Sequence, residues 1–590
     1  MGKRLVLTRA KNATGVWLAV AAIVLLSSEV TVAVDTYWTG NTDATWSNNS
    51  NWSNSHPGPG DNAIFNSTFS NQPTLTGSPS VGGLWMTGSV GQNVTISGSG
   101  VTLTLNGNTI NGTAGLGILV NNTNAFALTI NVPLKLGGAQ TWTNSSGNLL
   151  TIGGAVDLSK EALTVNGAGN TTISGIISNS GAFTKTGSGT LTLANTANSF
   201  TGQLTVQAGK LKIDNVNDAS TNGELGNNAS SVILGSSGTT GTLEFSGATD
   251  SGTKRFTLAT GGTGAFQIDS AGTTLTLNGV IDGSGALVKT GAGTLSLAGL
   301  NTYTGGTTIN AGTIAINSAS SIGASSGAVT INAGTIELLS GNSVSASRLF
   351  YLGSAASTIQ VDSGSTWTIG TAISNAGTAG GLTKTGAGTL ILSSATGNSY
   401  GGSGYTTSIN GGTLQVGADN VLGNSANTVT FNGGTLLFSA GFTSNRGVVM
   451  AGAGTVNTNN NAATLGGVIS GAGTLTKTGA GTLTLSGTNT YSGGTAISGG
   501  NNSAVSISSA SNLGSGTVTV SSGSMLNSTA NLTLTNGIVL GAQGGSAQGD
   551  GSLVSGMLNV APGTTLTFSG TGISEANSGT GRLEILGGGT

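Results

Sequence analysis

An all-β, right-handed parallel β-helix (a β-solenoid) is the fold this sequence predicts, on three observations. Short segments of about 4–6 residues alternate apolar and polar side chains along the chain, as in Leu191-Thr192-Leu193. One longer motif returns four times at intervals near a hundred residues. Gly supplies 104 of 590 residues, about 18 % against a usual ~7 %. A single sandwich core does not grow past roughly 300 residues. Regular repetition instead favours stacked rungs, each burying its neighbour's apolar edge. Rungs of ~20 residues spaced ~4.8 Å apart give a rod of very roughly 100–130 Å.

Residues 1–33 read as a separate object. Lys3, Arg4, Arg9 and Lys11 form a positive start, Val16 to Leu26 is apolar, and Thr31-Val32-Ala33 offers small residues for cleavage. This order is that of a secretory signal peptide, and the apolar run is too short for an ordinary spanning helix. Its removal takes 17 Lys and Arg to 13 and 19 Asp and Glu to 18, a net charge near −5. The mature chain is therefore mildly acidic and thinly charged, and no nucleic-acid partner is expected. No stable membrane span is expected in the mature chain either. With no Cys, disulfide frameworks, thiolate metal sites and Cys nucleophiles are excluded.

Residues 34–80 read as an N-terminal Trp-rich capping segment, with Tyr37, Trp38, Trp46 and Trp52. Such a group can stack on sugars, but shielding the open end of the first rung is the preferred reading. Residues 81–590 read as the solenoid, with marked repeats near 181–211, 285–316, 381–414 and 473–498. Each repeat opens on an apolar-x-Lys strand followed by Gly-x-Gly-Thr: Phe183/Lys185, Leu287/Lys289, Leu382/Lys384 and Leu475/Lys477. An Asn-x-aromatic step follows: Asn198/Phe200, Asn301/Tyr303, Asn398/Tyr400 and Asn489/Tyr491. Next come Gly pairs and an alternating strand, as in Thr307 to Ile316. The four Lys are expected on the wet face or at strand edges, where they aid solubility and discourage edge pairing.

These residues resemble the autotransporter-associated β-strand (passenger-associated transport) repeat, found in passenger regions of bacterial surface and secreted proteins. The stretch from Tyr37 to Ala63 also resembles the mature start of such proteins. The resemblance implies export, a β-helical passenger and a surface or extracellular role, but no enzymatic activity. Autotransporters end in a membrane β-barrel. No barrel is expected here, because the region after residue 500 stays poor in aromatics and rich in Gly and Ser.

β-Helices also host polysaccharide lyases and hydrolases, so clustered carboxylates merit weighing. Asp214 and Asp218 lie near Lys210, Lys212 and Glu224, and a solvated loop is the preferred reading. Asp269, Asp282 and Asp362 are isolated at strand ends or turns. Gly323-Ala324-Ser325-Ser326-Gly327 matches a nucleophile-elbow pattern without its strand-to-helix context, and a triad would have to recruit His56, the only His. No catalytic, cofactor-binding or metal-binding residue is assigned, no cofactor is expected, and the chain is not expected to be an enzyme. The leading expectation is a secreted or cell-surface structural solenoid used in adhesion or surface presentation. Polysaccharide or surface components are the expected partners, and a polysaccharide-active lyase or hydrolase is the alternative.

Overall fold

A computed structural model describes residues 8–11, 17–20, 34–355, 357–541, 556–575 and 584–590. The expected signal peptide lies outside the described residues, apart from the short antiparallel pair Thr8–Lys11 and Trp17–Val20. From Asp35 onward the chain winds as a parallel β-solenoid of about 23 turns. At roughly 4.8 Å per rung that makes a rod on the order of 110 Å. Besides that pair, the one antiparallel pairing between named strands, among the described residues, is Asn108–Ile110 with Thr113–Val120.

Each complete rung carries three strands, one on each of three faces. The first face begins at Asp35–Tyr37, the second at Thr74–Leu75 and the third at Ser80–Val81. Alternation decides what is inside. Thr171–Ile173, Thr190–Leu193 and Leu204–Val206 all point their apolar residues inward and leave the intervening Thr half-buried. Parallel in-register stacking places like on like, as in Leu128↔Leu150 and Ile130↔Ile152. The buried Val, Ile, Leu and Phe thus form one core along the rod.

The Trp-rich start is continuous with that core. Trp38, Trp46 and Trp52 are buried, with Trp52 edge-on to both Trp38 and Trp46 at ring distances of 4.9 and 4.7 Å. Asp35–Tyr37 already pairs with Asn62–Phe65 in the first face.

Each face is interrupted by repeats. The third face stops at Ile177–Ser178 and resumes at Asp250–Gly252. The first stops at Ile281–Gly283 and resumes at Ser343–Ala346. The second stops at Ile373–Asn375 and resumes at Thr443–Ser444. The third stops again at Ile469–Gly471 and resumes at Leu532–Leu534. Each gap is filled by an Asn-x-aromatic step and then a turn segment, long at Asp214–Ser231 in the first gap and 3-10 helical at Ala319–Ile322, Asp419–Leu422 and Ala510–Asn512 in the others. Backbone hydrogen bonds still cross each gap, for example Thr302 N to Ile281 O and Ala324 N to Tyr303 O. Successive breaks lie four rungs plus one face apart, so the repeats wind round the rod one face at a time.

Candidate functional site

The signature residues of the repeat point inward. Lys185, Lys289, Lys384 and Lys477 are all buried, which corrects the expectation of wet-face or edge lysines. The cause is parity. In Leu287-Val288-Lys289 the Lys shares the inward side with Leu287, and the following Gly291 turns at φ +72°. That turn aims its carbonyls inside the rod, where only a side-chain donor can satisfy them. Lys289 Nζ donates to Thr290 O at 2.7 Å, Gly291 O at 2.8 Å and Ala311 O of the next rung at 3.3 Å. Lys384 repeats this on Thr385, Gly386 and Gly411 at 2.7, 2.8 and 3.2 Å. Gly312 closes the arrangement from the rung above, because a Cβ there would lie 2.4 Å from Gly293 O and 2.7 Å from Lys289 Nζ.

The Asn of each Asn-x-aromatic step is equally internal. Asn301 Oδ1 accepts from Ile281 N at 2.7 Å on the rung below, and its Nδ2 donates to Ser321 O on the rung above. Asn398 and Asn489 do the same between Ile373 and Val421, and between Ile469 and Asn512. These three Asn therefore each pin three rungs where the strand ladder is missing, whereas Asn198 accepts from Ile177 N at 2.9 Å and its buried Nδ2 has no partner.

The aromatic partner is buried in every copy. Tyr303, Tyr400 and Tyr491 pair their hydroxyls with Thr307, Thr407 and Thr495 at 2.6, 2.8 and 2.6 Å. Where the first copy has Phe200, its partner position is Leu204, so both hydroxyls are absent together. Tyr303→Phe is expected to cost about 1–2 kcal/mol by leaving the buried Thr307 hydroxyl unpaired. Pairing it with Thr307→Val should restore most of the loss in a double-mutant cycle of thermal unfolding.

Sequence reasoning missed a second set of buried polar residues, one rung beyond each turn. Arg348 donates to the carbonyls of Ala319, Ile322, Gly323 and Gly327. Arg446 does so to Asp419, Gly423, Asn424 and Asn427, and its Nε pairs with Asp419 Oδ1 at 2.9 Å. Lys254 holds Gly226 and Asn228 at 3.0 and 2.9 Å, and Asn536 holds Gly514 and Gly516 at 2.7 Å each. The four lie 94, 98 and 90 residues apart, each two positions before an apolar-x-apolar strand, so the long period of the repeat held a signal; residue type hid it, because Lys, Arg and Asn alternate at the position.

Burial sets the charge state of this interior. It lowers Lys185, Lys254, Lys289, Lys384 and Lys477 from 10.5 to about 8, so each remains an ammonium at neutral pH. Between pH ~8 and ~10.5 the unfolded chain binds more protons than the folded one, so stability rises with pH. Burial also raises Tyr303, Tyr400 and Tyr491 above the usual 10.0. Above pH ~10 these phenols ionise first in the unfolded chain, and stability falls again. Denaturant melts from pH 7 to 11 should show a maximum on the alkaline side. A monotonic decline from pH 7 would contradict the buried-lysine geometry.

The carboxylates weighed from sequence turn to separate local duties. Glu224 is buried and accepts from Asp214 N and Asn215 N at 2.7 and 3.0 Å; desolvation raises its pKa. Asp218 accepts from Thr253 N and Oγ1 at 2.8 and 2.9 Å, and these bonds lower its pKa. Lys210 and Lys212 flank Glu244 instead, at 2.9 and 3.8 Å. Asp282 pairs with Arg255 at 3.5 Å, while Asp269 and Asp362 accept from Gln267 and Gln360 at 2.7 and 2.9 Å. Ser325 is exposed just after the turn Ala319–Ile322, whose neighbouring Gly323 and Gly327 carbonyls serve Arg348. His56 sits beside the first rung, far along the rod from Ser325. The Trp rings are packed against each other and against Phe69, with Tyr37 alone of the group half-buried.

What the outer surface offers is hydroxyl in register. Thr274, Thr294, Thr313, Thr335, Thr358, Thr383, Ser408 and Thr430 stack on consecutive rungs of the third face, all half-buried. A second track runs Thr366, Thr389, Thr413, Thr435, Thr455 and Thr476 on the first face. Neither track contains an ionisable side chain.

The model of the passenger-associated transport repeat matches residues 183–213, 287–316, 382–416 and 475–501, and these four repeats are part of this chain. The chain is also similar to the adhesin BmaC autotransporter of Brucella suis biovar 1 (strain 1330), with 35 % identity over 260 residues. That match takes in 41 % of this chain and 7 % of the adhesin's length. No solved structure matches.

Proposed function

We propose that this chain, built on four passenger-associated transport repeats, is a secreted or cell-surface solenoid that mediates adhesion or surface presentation. The observation that carries this reading is the eight-rung hydroxyl track from Thr274 to Thr430. Stacked hydroxyls at a fixed rung spacing offer the same weak contact many times, and many linked weak contacts hold a polymeric partner far better than one does. Similarity to an adhesin autotransporter supports the same reading. Residues 1–33 supply the export signal in this account, and the buried Trp38, Trp46 and Trp52 close the rod's start. Polysaccharide or other surface components are the partners. An enzymatic role on the same fold has less support, because Asp214, Asp218 and Glu224 each serve a different local hydrogen bond.

Fractionating cells that express the full chain, together with adherence of beads coated with the purified chain, tests this. The chain should leave the cytoplasm and the beads should adhere to biological surfaces. Retention in the cytoplasm, or beads that adhere no better than albumin-coated ones, would overturn the reading.

A further inference from the structure

The four breaks differ in what stands over the turn. At the second and third, the guanidinium groups of Arg348 and Arg446 lie over it, 3 % and 4 % exposed. Each gathers four carbonyls. At the fourth break the same place in the rod is held by Asn536, which reaches Gly514 and Gly516 alone. The Ala510 and Leu513 carbonyls, counterparts of those Arg348 binds at Ala319 and Ile322, receive no donor from it. Beside this shorter side chain lies an open cleft of about 460 Å3.

Its floor includes buried Leu513, Gly514 and Asn536. Its rim carries Thr490, Ser511, Ser515, Thr533 and Thr535, all exposed. The volume is that of an ordinary small-ligand site. The chemistry is narrow. Five hydroxyls each donate and accept, half-buried Ala510 provides a small apolar patch, and no ionisable group lines the cleft. An anionic ligand would find no cation here, and a cation no carboxylate. A ligand that both donates and accepts around its edge while presenting C–H faces suits it.

We propose that the fourth break is a binding cleft for a neutral sugar unit of a polysaccharide. The site exists because Asn536 stands where Arg348 and Arg446 stand at the two preceding breaks. It deepens the adhesion reading and rests on it, giving the otherwise repetitive rod one distinct contact point.

The full chain is titrated with dextran, mannan and galactan, and with polygalacturonate as the anionic comparison. Wild type should bind at least one neutral glycan and not polygalacturonate. Asn536→Arg, which rebuilds the filling of the other breaks, should weaken that binding at least tenfold without lowering the thermal midpoint. Thr490→Ala/Thr533→Ala trims the rim without touching the buried floor, and should weaken binding in the same direction. Unchanged binding by this rim variant, no binding of any neutral glycan, or preference for polygalacturonate would each overturn the cleft. Bead adherence separates the two levels. Wild-type and Asn536→Arg beads that adhere equally well overturn the cleft alone, whereas failure of both removes the adhesion reading beneath it.

Discussion

Arg446→Met is expected to destabilise the third break by about 3 kcal/mol. The guanidinium serves the carbonyls of Asp419, Gly423, Asn424 and Asn427 and the Asp419 carboxylate. Methionine can fill the volume but supplies no donor, so the carbonyls stay buried and unsatisfied. Swapping a whole buried ionic set for apolar side chains can be neutral, but removing one member of a set commonly costs ~3–5 kcal/mol. Partial exposure of Asp419, at 30 %, places the expectation at the lower end. In a stacked array each rung leans on its neighbours, so a single global unfolding energy is a poor reporter. Hydrogen exchange followed by mass spectrometry is the better measurement. Protection should fall in residues 398–424 and 443–450 and stay unchanged near the Trp-rich start. Loss of protection spread evenly along the rod, or no loss, would contradict the local role.

Lys384→Met should cost about 2–3 kcal/mol by the same logic at a different carbonyl set. Thr385, Gly386 and Gly411 would lose their shared donor inside the rod. Lys135 sits exposed between inward Leu134 and Leu136, so Lys135→Met provides the comparison and should change stability by less than about 0.5 kcal/mol. Equal effects of the two substitutions would return the repeat lysines to the surface role that their charge alone suggests.

Alternation made the fold legible from sequence. Leu-Thr-Leu triplets and Thr-Ile pairs announce half-buried strands whatever the turns do, and four copies of one motif announce stacking. The same parity already placed Lys289 on the side of Leu287. Charge argued the other way, because a buried ammonium is costly unless acceptors surround it. Those acceptors are backbone carbonyls of a left-handed turn, which a reading of side-chain types does not count. The spiral of the breaks was hidden for another reason. Lys spacings of 104, 95 and 93 residues look irregular because turns such as Asp214–Ser231 vary in length. Only the strand pairing shows that each interval spans the same four rungs and one face. Asn536 carries no signal taken alone. Its meaning depends on Arg348 and Arg446 standing at the same place on other faces; all three stand two positions before an apolar-x-apolar strand, but only the stacked rungs show that the position faces a turn.

The arrangement also assigns the two surfaces different work. Inward Lys, Asn, Tyr and Arg hold the rod together where strand pairing lapses, and outward Thr and Ser face whatever the rod meets. Charge is scarce, and the basic residues Lys185, Lys254, Lys289, Arg348, Lys384, Arg446 and Lys477 serve the inside.

Amine-selective acylation of the native chain, read lysine by lysine by mass spectrometry, tests this division most directly. The interior account predicts rapid modification of exposed Lys135 and Lys160. It predicts strong protection of Lys185, Lys254, Lys289, Lys384 and Lys477, lost together with the fold in denaturant. Modification of the repeat lysines in the native chain at the rate of Lys135 would contradict it.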